Sequence, residues 1–213
     1  MRATREKAAE NRARIVATAS RLFREKGFDG VGLDAIMKEA GLTHGGFYGH
    51  FTSKEDLAAE AVTHAVEHAA ELQSRYTNVA DLVSGYLSQS HLADRANGCA
   101  LAALGGDMAR RSEGVRSGAT SYVRTQLERL AGFFRGTAAA RRRRAITTLV
   151  GIVGALTLAR AVEDPVLSDE ILLTARRALG VASRFESSRV GDFLVNRSLW
   201  SMSGSKRHAP RLW

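Results

Sequence analysis

The stretch Gly41-Leu42-Thr43-His44-Gly45-Gly46-Phe47-Tyr48-Gly49-His50-Phe51 constrains this chain more than any other. Ahead of it, Leu33, Ile36, Met37 and Ala40 recur three or four apart and so share one helical face. Gly41 follows, and glycine accepts the left-handed conformation that a tight helix exit needs. Thr43 stands where a hydroxyl can cap a second helix by accepting a backbone N–H. That second helix is a poor hydrophobic element, with only Phe47 and Phe51, four apart, to anchor it. Gly45, Gly46 and Gly49 each weaken a helix by about 1 kcal/mol relative to alanine. A segment so weak must be held by its neighbours and kept for its surface. The spacing predicts two short helices joined by a glycine turn, a helix-turn-helix. The plainer alternative is a glycine-rich loop between core helices.

Residues 33–57, which end Gly46-Phe47-Tyr48-Gly49-His50-Phe51-Thr52-Ser53-Lys54-Glu55-Asp56-Leu57, resemble the DNA-binding signature of the TetR family of bacterial repressors. The resemblance extends over most of the chain, to about residue 186. It implies an all-α protein. Residues 1–52 would form a three-helix, helix-turn-helix DNA-binding domain. Residues 53–187 would form a larger helical domain for effector binding and dimerisation, and residues 188–213 a basic tail. It further implies a cytoplasmic homodimer that regulates transcription, a repressor in most of the family, by holding a palindromic operator in double-stranded DNA. A small-molecule effector would release the operator by swinging the helix that begins at Ser53. On this resemblance Tyr48, His50 and Lys54 match phosphate contacts, and Thr43, His44, Gly45 and Gly46 match positions facing the groove. The chain departs from the family at Gly32, where a Thr or Ser often caps the preceding helix and touches a phosphate. Glycine still serves as an N-cap, without that hydroxyl.

Bulk properties agree with an all-helical, DNA-facing chain. The 213 residues contain two prolines, Pro165 and Pro210, and 45% are hydrophobic. The sequence shows no β-branched alternation, so the periodicity favours helices. A formal net charge of +9 favours a polyanionic partner, without choosing between nucleic acid and an anionic membrane. One cysteine excludes an internal disulfide and suits a reducing compartment. No apolar run follows the charged start, so no signal peptide is expected.

Taken in order, residues 6–27 predict a first helix with Ile15, Ala19, Leu22 and Phe23 inward and Arg12, Arg14, Arg21, Arg24, Glu25 and Lys26 outward. Arg2, Arg5 and Lys7 ahead of it read as a solvated, disordered terminus, or else as an arm beside DNA. Ser53 caps a long helix reaching about residue 76, with acids in its first turn. A further helix is expected over residues 79–94. Asn97-Gly98 is a turn signal, after which Cys99 opens a small-residue helix that Gly105-Gly106 is expected to interrupt. Another helix covers residues 113–136. A charge-free apolar helix, residues 145–159, follows the run Arg141-Arg142-Arg143-Arg144 and is too short to span a membrane. The last helix covers residues 168–185. The tail beyond it lacks a clean period, and its composition favours disorder past residue 202.

Four further sets of residues bear on function. Tyr86, Cys99, Leu104, Met108, Tyr122 and Leu130 are candidates to line an effector pocket. Ile146, Leu149, Gly151, Val153, Ala155, Leu156 and Ala159, with Ile171, Leu172, Ala175 and Leu179, are candidates for a four-helix dimer interface. Cys99 at a helix N-terminus is a candidate thiol sensor, with Arg95 its one basic neighbour in sequence; the alternative is a small buried hydrophobe. His64-Ala65-Val66-Glu67-His68 matches a zinc-protease pattern and frames the alternative of a zinc-dependent enzyme. The surrounding context of such enzymes is missing, so no catalytic residue, metal or cofactor is expected. A last alternative is a basic protein that binds any duplex or membrane surface through its net charge.

Overall fold

The computed structural model describes residues 2–73 and 75–180, and all regular structure among them is helical. Helix α1 (Arg2–Lys26) buries Ile15, Ala19, Leu22 and Phe23 as the apolar spacing requires. It ends at Gly27, whose φ of +79° favours glycine. Two expectations are corrected here. The helix begins at Arg2, where a disordered terminus was expected. Arg24 points inward: its Nε donates to the Ala96 carbonyl at 2.7 Å and its Nη1 to Ser20 Oγ at 2.7 Å. Buried carbonyl and hydroxyl acceptors outweigh the preference of an arginine for water at that position.

Helix α2 (Leu33–Glu39) starts at Gly32, which caps it without a side-chain bond, and exits through Gly41 at φ +71°. The next element is a 3₁₀ helix, His44–Gly49, and not the α-helix expected. Thr43 is its N-cap residue but accepts no capping bond. With three glycines in six residues, little favours continued α-helix, and the tighter turn suffices for so short a piece. Helix α3 (Lys54–Gln73) stops short of the expected residue 76. It is capped as its sequence predicts: Asp56 N donates to Ser53 Oγ at 3.1 Å, and the Asp56 carboxylate accepts from Thr52 N at 3.1 Å.

The span expected as one helix over residues 79–94 divides into α4 (Val79–Tyr86) and α5 (Gln89–Ala93). Ser88 makes the break by capping α5 through the His91 N–H. Helix α6 (Ala100–Met108) runs through Gly105 and Gly106 without interruption. Helix α7 (Glu113–Gly132) stops one turn earlier than expected. Helix α8 (Ala138–Ala161) begins at Thr137, whose side chain accepts from Ala140 N, so the four arginines lie inside it. The helix is therefore 24 residues long, with a window of mean hydropathy 1.3, and would be long enough to cross a membrane. One side of it is instead packed against neighbouring helices of its own chain. Helix α9 (Pro165–Ala178) has Pro165 in its first turn and Asp164 as cap. The end of the expected last helix beyond residue 180, and the tail 188–213, lie outside the described residues.

Two apolar clusters hold the helices. The first joins α1, α2, Phe47, Phe51, α3 and α6 with Val115 and Tyr122 of α7. It runs across residue 52, so the first three helices share a core with Leu57, Ala61, Leu104 and Met108. The second joins α4, Ala102, α7, α8 and α9. Ser168 Oγ donates to the Ala159 carbonyl at 2.9 Å and pins α9 to α8.

Candidate functional site

The 3₁₀ segment is anchored from beneath and bare on top. Phe47 is fully buried and stacks on Phe51, with ring centroids 5.6 Å apart. Arg12 lies 4.5 Å over the Phe51 ring and pairs with Glu60 of α3, which holds its guanidinium above its usual pKa. The outer face carries Thr43, His44, Gly45, Gly46 and Tyr48, all exposed. Tyr48 is 66% exposed although its ring stands edge-on to Phe47 at 5.2 Å. A methyl group added at Gly45 or Gly49 would meet nothing within 4 Å, and one at Gly46 would make only ordinary contact with Thr43 and Met37. The chain's own packing therefore does not demand these glycines. Bare backbone on that face suits close approach by a broad external surface.

The remaining predicted contact residues are placed less uniformly. His44 Nδ1 pairs with the Asp34 carboxylate at the start of α2. His50 is half-buried beside Phe51. Lys54 is also half-buried, its Nζ 6.0 Å above the Phe23 ring, so it reaches outward from a stem laid on the core. Sequence reasoning missed the residues that hold this assembly. Arg21 of α1 pairs with Glu39 of α2. Arg111, in the turn between α6 and α7, bonds Asp29 at 2.5 Å and Glu55 at 3.1 Å, and its guanidinium lies 5.0 Å over Phe28. It ties the turn after α1 to the first turn of α3. No spacing rule could have found a contact 82 residues apart.

A cavity of about 310 Å³ opens between α1, α3, α4, α5 and α7. Of the six residues expected to line an effector pocket, Tyr86, Cys99 and Tyr122 do so. Leu104, Met108 and Leu130 do not; they are packed into the two apolar clusters. Sequence reasoning missed Arg24, Tyr76 and His91, which complete the walls. His91 is locked: its Nε2 accepts from the Cys99 N–H at 3.1 Å, so Nδ1 carries the proton toward the Tyr86 carbonyl at 2.7 Å. Burial holds its pKa below the ordinary value, which keeps the ring neutral. Cys99 is half-buried, with Sγ 3.7 Å from Tyr122 Oη. Its basic surroundings differ from those expected, for Arg24 and Arg160 both lie near it.

Other expectations resolve as follows. His64 and His68 are half-buried on α3, and among the described residues no group of three or more His, Cys, Asp or Glu gathers to hold a metal ion. The arginines 141–144 are exposed, with Arg144 5.9 Å over Phe134. Among the dimerisation candidates, Leu149, Ala155, Leu156, Ala159 and Leu172 are buried in the chain's own core, and Ile171, Val153, Ala175 and Leu179 pack against it. Gly151 faces Leu179 of the same chain, 3.2 Å from where its Cβ would stand, so the small residue makes room for the end of α9. Only Ile146 of that set is exposed. The open apolar face consists of Ile146, Val150 and Leu158 on α8 with Val166, Leu167 and Leu173 on and around α9. Spacing alone could not separate this open side of α8 from the packed one, because the helix is apolar nearly all round.

Comparison with known proteins gives a consistent result. The family model described as "Bacterial regulatory proteins, tetR family" matches residues 15–61. The chain is 35% identical over 85 residues to the HTH-type transcriptional regulator LmrA of Bacillus subtilis, covering 38% of this chain and 45% of LmrA. It is 37% identical over 75 residues to the HTH-type transcriptional regulator AcrR of Shigella flexneri, covering 35% of each. These matches thus span less than half the length of the curated relatives. Among solved structures, a TetR-family regulator from Cytophaga hutchinsonii superposes with a TM-score of 0.66 at 20% identity, covering 81% of this chain and 94% of that one. The reduced form of Escherichia coli NemR superposes with a TM-score of 0.63 at 23% identity, covering 80% of this chain and 95% of that one. These two likenesses carry the fold alone. A helix-turn-helix with a bare outer face, a buried Phe47–Phe51 anchor and a family match over the same residues lead to one conclusion: residues 15–61 form a DNA-binding region similar to that of the tetR family of bacterial regulatory proteins, on a chain with the fold of that family's solved members.

Proposed function

We propose that this protein is a dimeric, ligand-responsive transcriptional regulator, acting as a repressor, that grips a palindromic operator and releases it when a small molecule fills the cavity. The observation that carries this is the outer face of residues 43–49: exposed polar side chains beside glycines that internal packing does not require. In this reading Tyr48, His50 and Lys54 set register on phosphates, and Thr43, His44, Gly45 and Gly46 approach base edges. A two-fold dimer would present two such segments about 34–36 Å apart, or at a multiple of that spacing. The exposed apolar face of α8 and α9 supports pairing with a second copy. The cavity supports an effector, because α1 and α3 contribute both to its walls and to the framework under the 3₁₀ segment.

The deciding experiment is competition binding. The protein should prefer a duplex taken from the DNA flanking its own coding region, carrying an inverted repeat, over random duplex by roughly a thousandfold or more. Equal binding to both, with a steep salt dependence, would instead support a non-specific basic protein.

A further inference from the structure

The cavity is rich in hydrogen-bond donors and poor in free acceptors. Arg24 is nine-tenths buried, yet the groups it bonds are a hydroxyl and a carbonyl; among the described residues no carboxylate pairs with it. Burial accordingly pulls its pKa below the ordinary arginine value. Tyr86 is equally buried, and its Oη has no oxygen or nitrogen partner, only the weak Cys99 thiol nearby. Tyr122 Oη meets the Cys99 thiol at 3.7 Å and the backbone N–H of Ala100. Both phenols are held well above their ordinary pKa, first by burial, so each remains an O–H donor. His91 offers no free nitrogen, since both are engaged. The carboxylate of Asp94 is occupied by the backbone and side-chain amides of Asn97. A buried cation bonded to neutral acceptors alone and a buried hydroxyl that meets only a thiol are each costly, and an incoming ligand with acceptor oxygens relieves both. The walls are aromatic: Tyr86 meets His91 edge-on at 4.7 Å, and Tyr76 and Tyr122 also line the space.

We infer that this cavity binds a small planar aromatic carboxylate, its ring among the tyrosines and its carboxylate received by Arg24 and the Tyr86 hydroxyl. The inference rests on the reading of this cavity as the effector site, and adds the chemical class. About 310 Å³ admits a ligand of one or two fused rings and lies at the small end of ligand pockets.

The test is calorimetric titration of the full chain with naphthoate, naphthamide and a naphthyl-methylammonium salt. Naphthoate should bind about tenfold or more tighter than the isosteric amide, because a hydrogen-bonded charge is replaced by a neutral group. The cation should not bind. Tyr86→Phe should weaken naphthoate by about tenfold and leave the amide nearly unchanged. Arg24→Gln should do the same more strongly, and Tyr86→Phe keeps the test decisive if that variant fails to fold. Equal affinity for acid and amide, preference for the cation, or no binding by any of the three overturns the inference. Release of the flanking DNA is measured separately. Naphthoate that binds without releasing DNA upholds the ligand class and removes the regulatory reading. Release by a neutral or cationic compound seated in this cavity does the reverse.

Discussion

Gly45 lies where an added methyl group meets no neighbour and where φ is not left-handed. Gly45→Ala should therefore leave the melting temperature unchanged or slightly raised, since glycine costs up to about 1 kcal/mol of backbone entropy in a helix. The same change should weaken operator binding by roughly tenfold, read by fluorescence anisotropy, because the methyl occupies the space kept for DNA. A fall in stability with unaltered DNA binding would count against the interface. On the proposed function, Tyr48 and His44 take two different roles on one surface. Tyr48→Ala should weaken binding to every duplex about equally, whereas His44→Ala should change the order of preference among operator variants, as a binding-site selection would show. Matching effects of the two substitutions would remove the division. At this scale much was legible: Phe47 and Phe51 as anchors, Gly41 as the exit and Ser53 as the cap all follow from local spacing. The inward turn of Arg24 was not legible, because its acceptor at Ala96 is 72 positions away and no periodic pattern marks it.

Arg111 shows how elements are joined. Its bond to Asp29 holds that carboxylate below its ordinary value near 3.8. A depressed folded-state pKa means a stabilising contribution that is fully present above the unfolded value and lost as pH falls through the folded one. Arg111→Gln should therefore lower the melting midpoint at neutral pH, and the gap from the parent protein should close below about pH 3.8. A gap that persists into acid would assign the loss to the Phe28 contact instead. Gly151 joins α8 to α9. Gly151→Val should destabilise the fold by about 1–3 kcal/mol in denaturant unfolding, because Leu179 already stands at contact distance. Helix existence was readable from apolar spacing, but helix ends and breaks were less so. The Leu87–Ser88 break and the early start of α8 depend on single capping bonds to Ser88 and Thr137, which compete weakly with the periodic pattern around them.

The described part of the chain leaves one conspicuous apolar surface uncovered. Val150 is 66% exposed, Val166 74% and Leu158 58%. Burying such side chains stabilises by roughly 1.5–3 kcal/mol each, so on the proposed dimer a second copy would place its own α8 and α9 there. Leu158→Asp should convert a dimer to a monomer in light scattering coupled to gel filtration, with operator binding falling alongside. A wild-type protein already monomeric would refute that arrangement. This surface could not be identified from sequence, because every side of α8 offers Ala, Val, Ile or Leu, and only the placement of α6, α7 and α9 decides which side remains open.

The placement of Arg24 carries a further consequence. It belongs to α1, yet it lines the cavity. On the proposed function, grafting residues 1–52 of a relative onto this body would exchange a wall of the cavity together with the operator preference. Such hybrids would inherit a new target site and an altered chemical appetite in a single step, so this architecture resists modular recombination at that boundary.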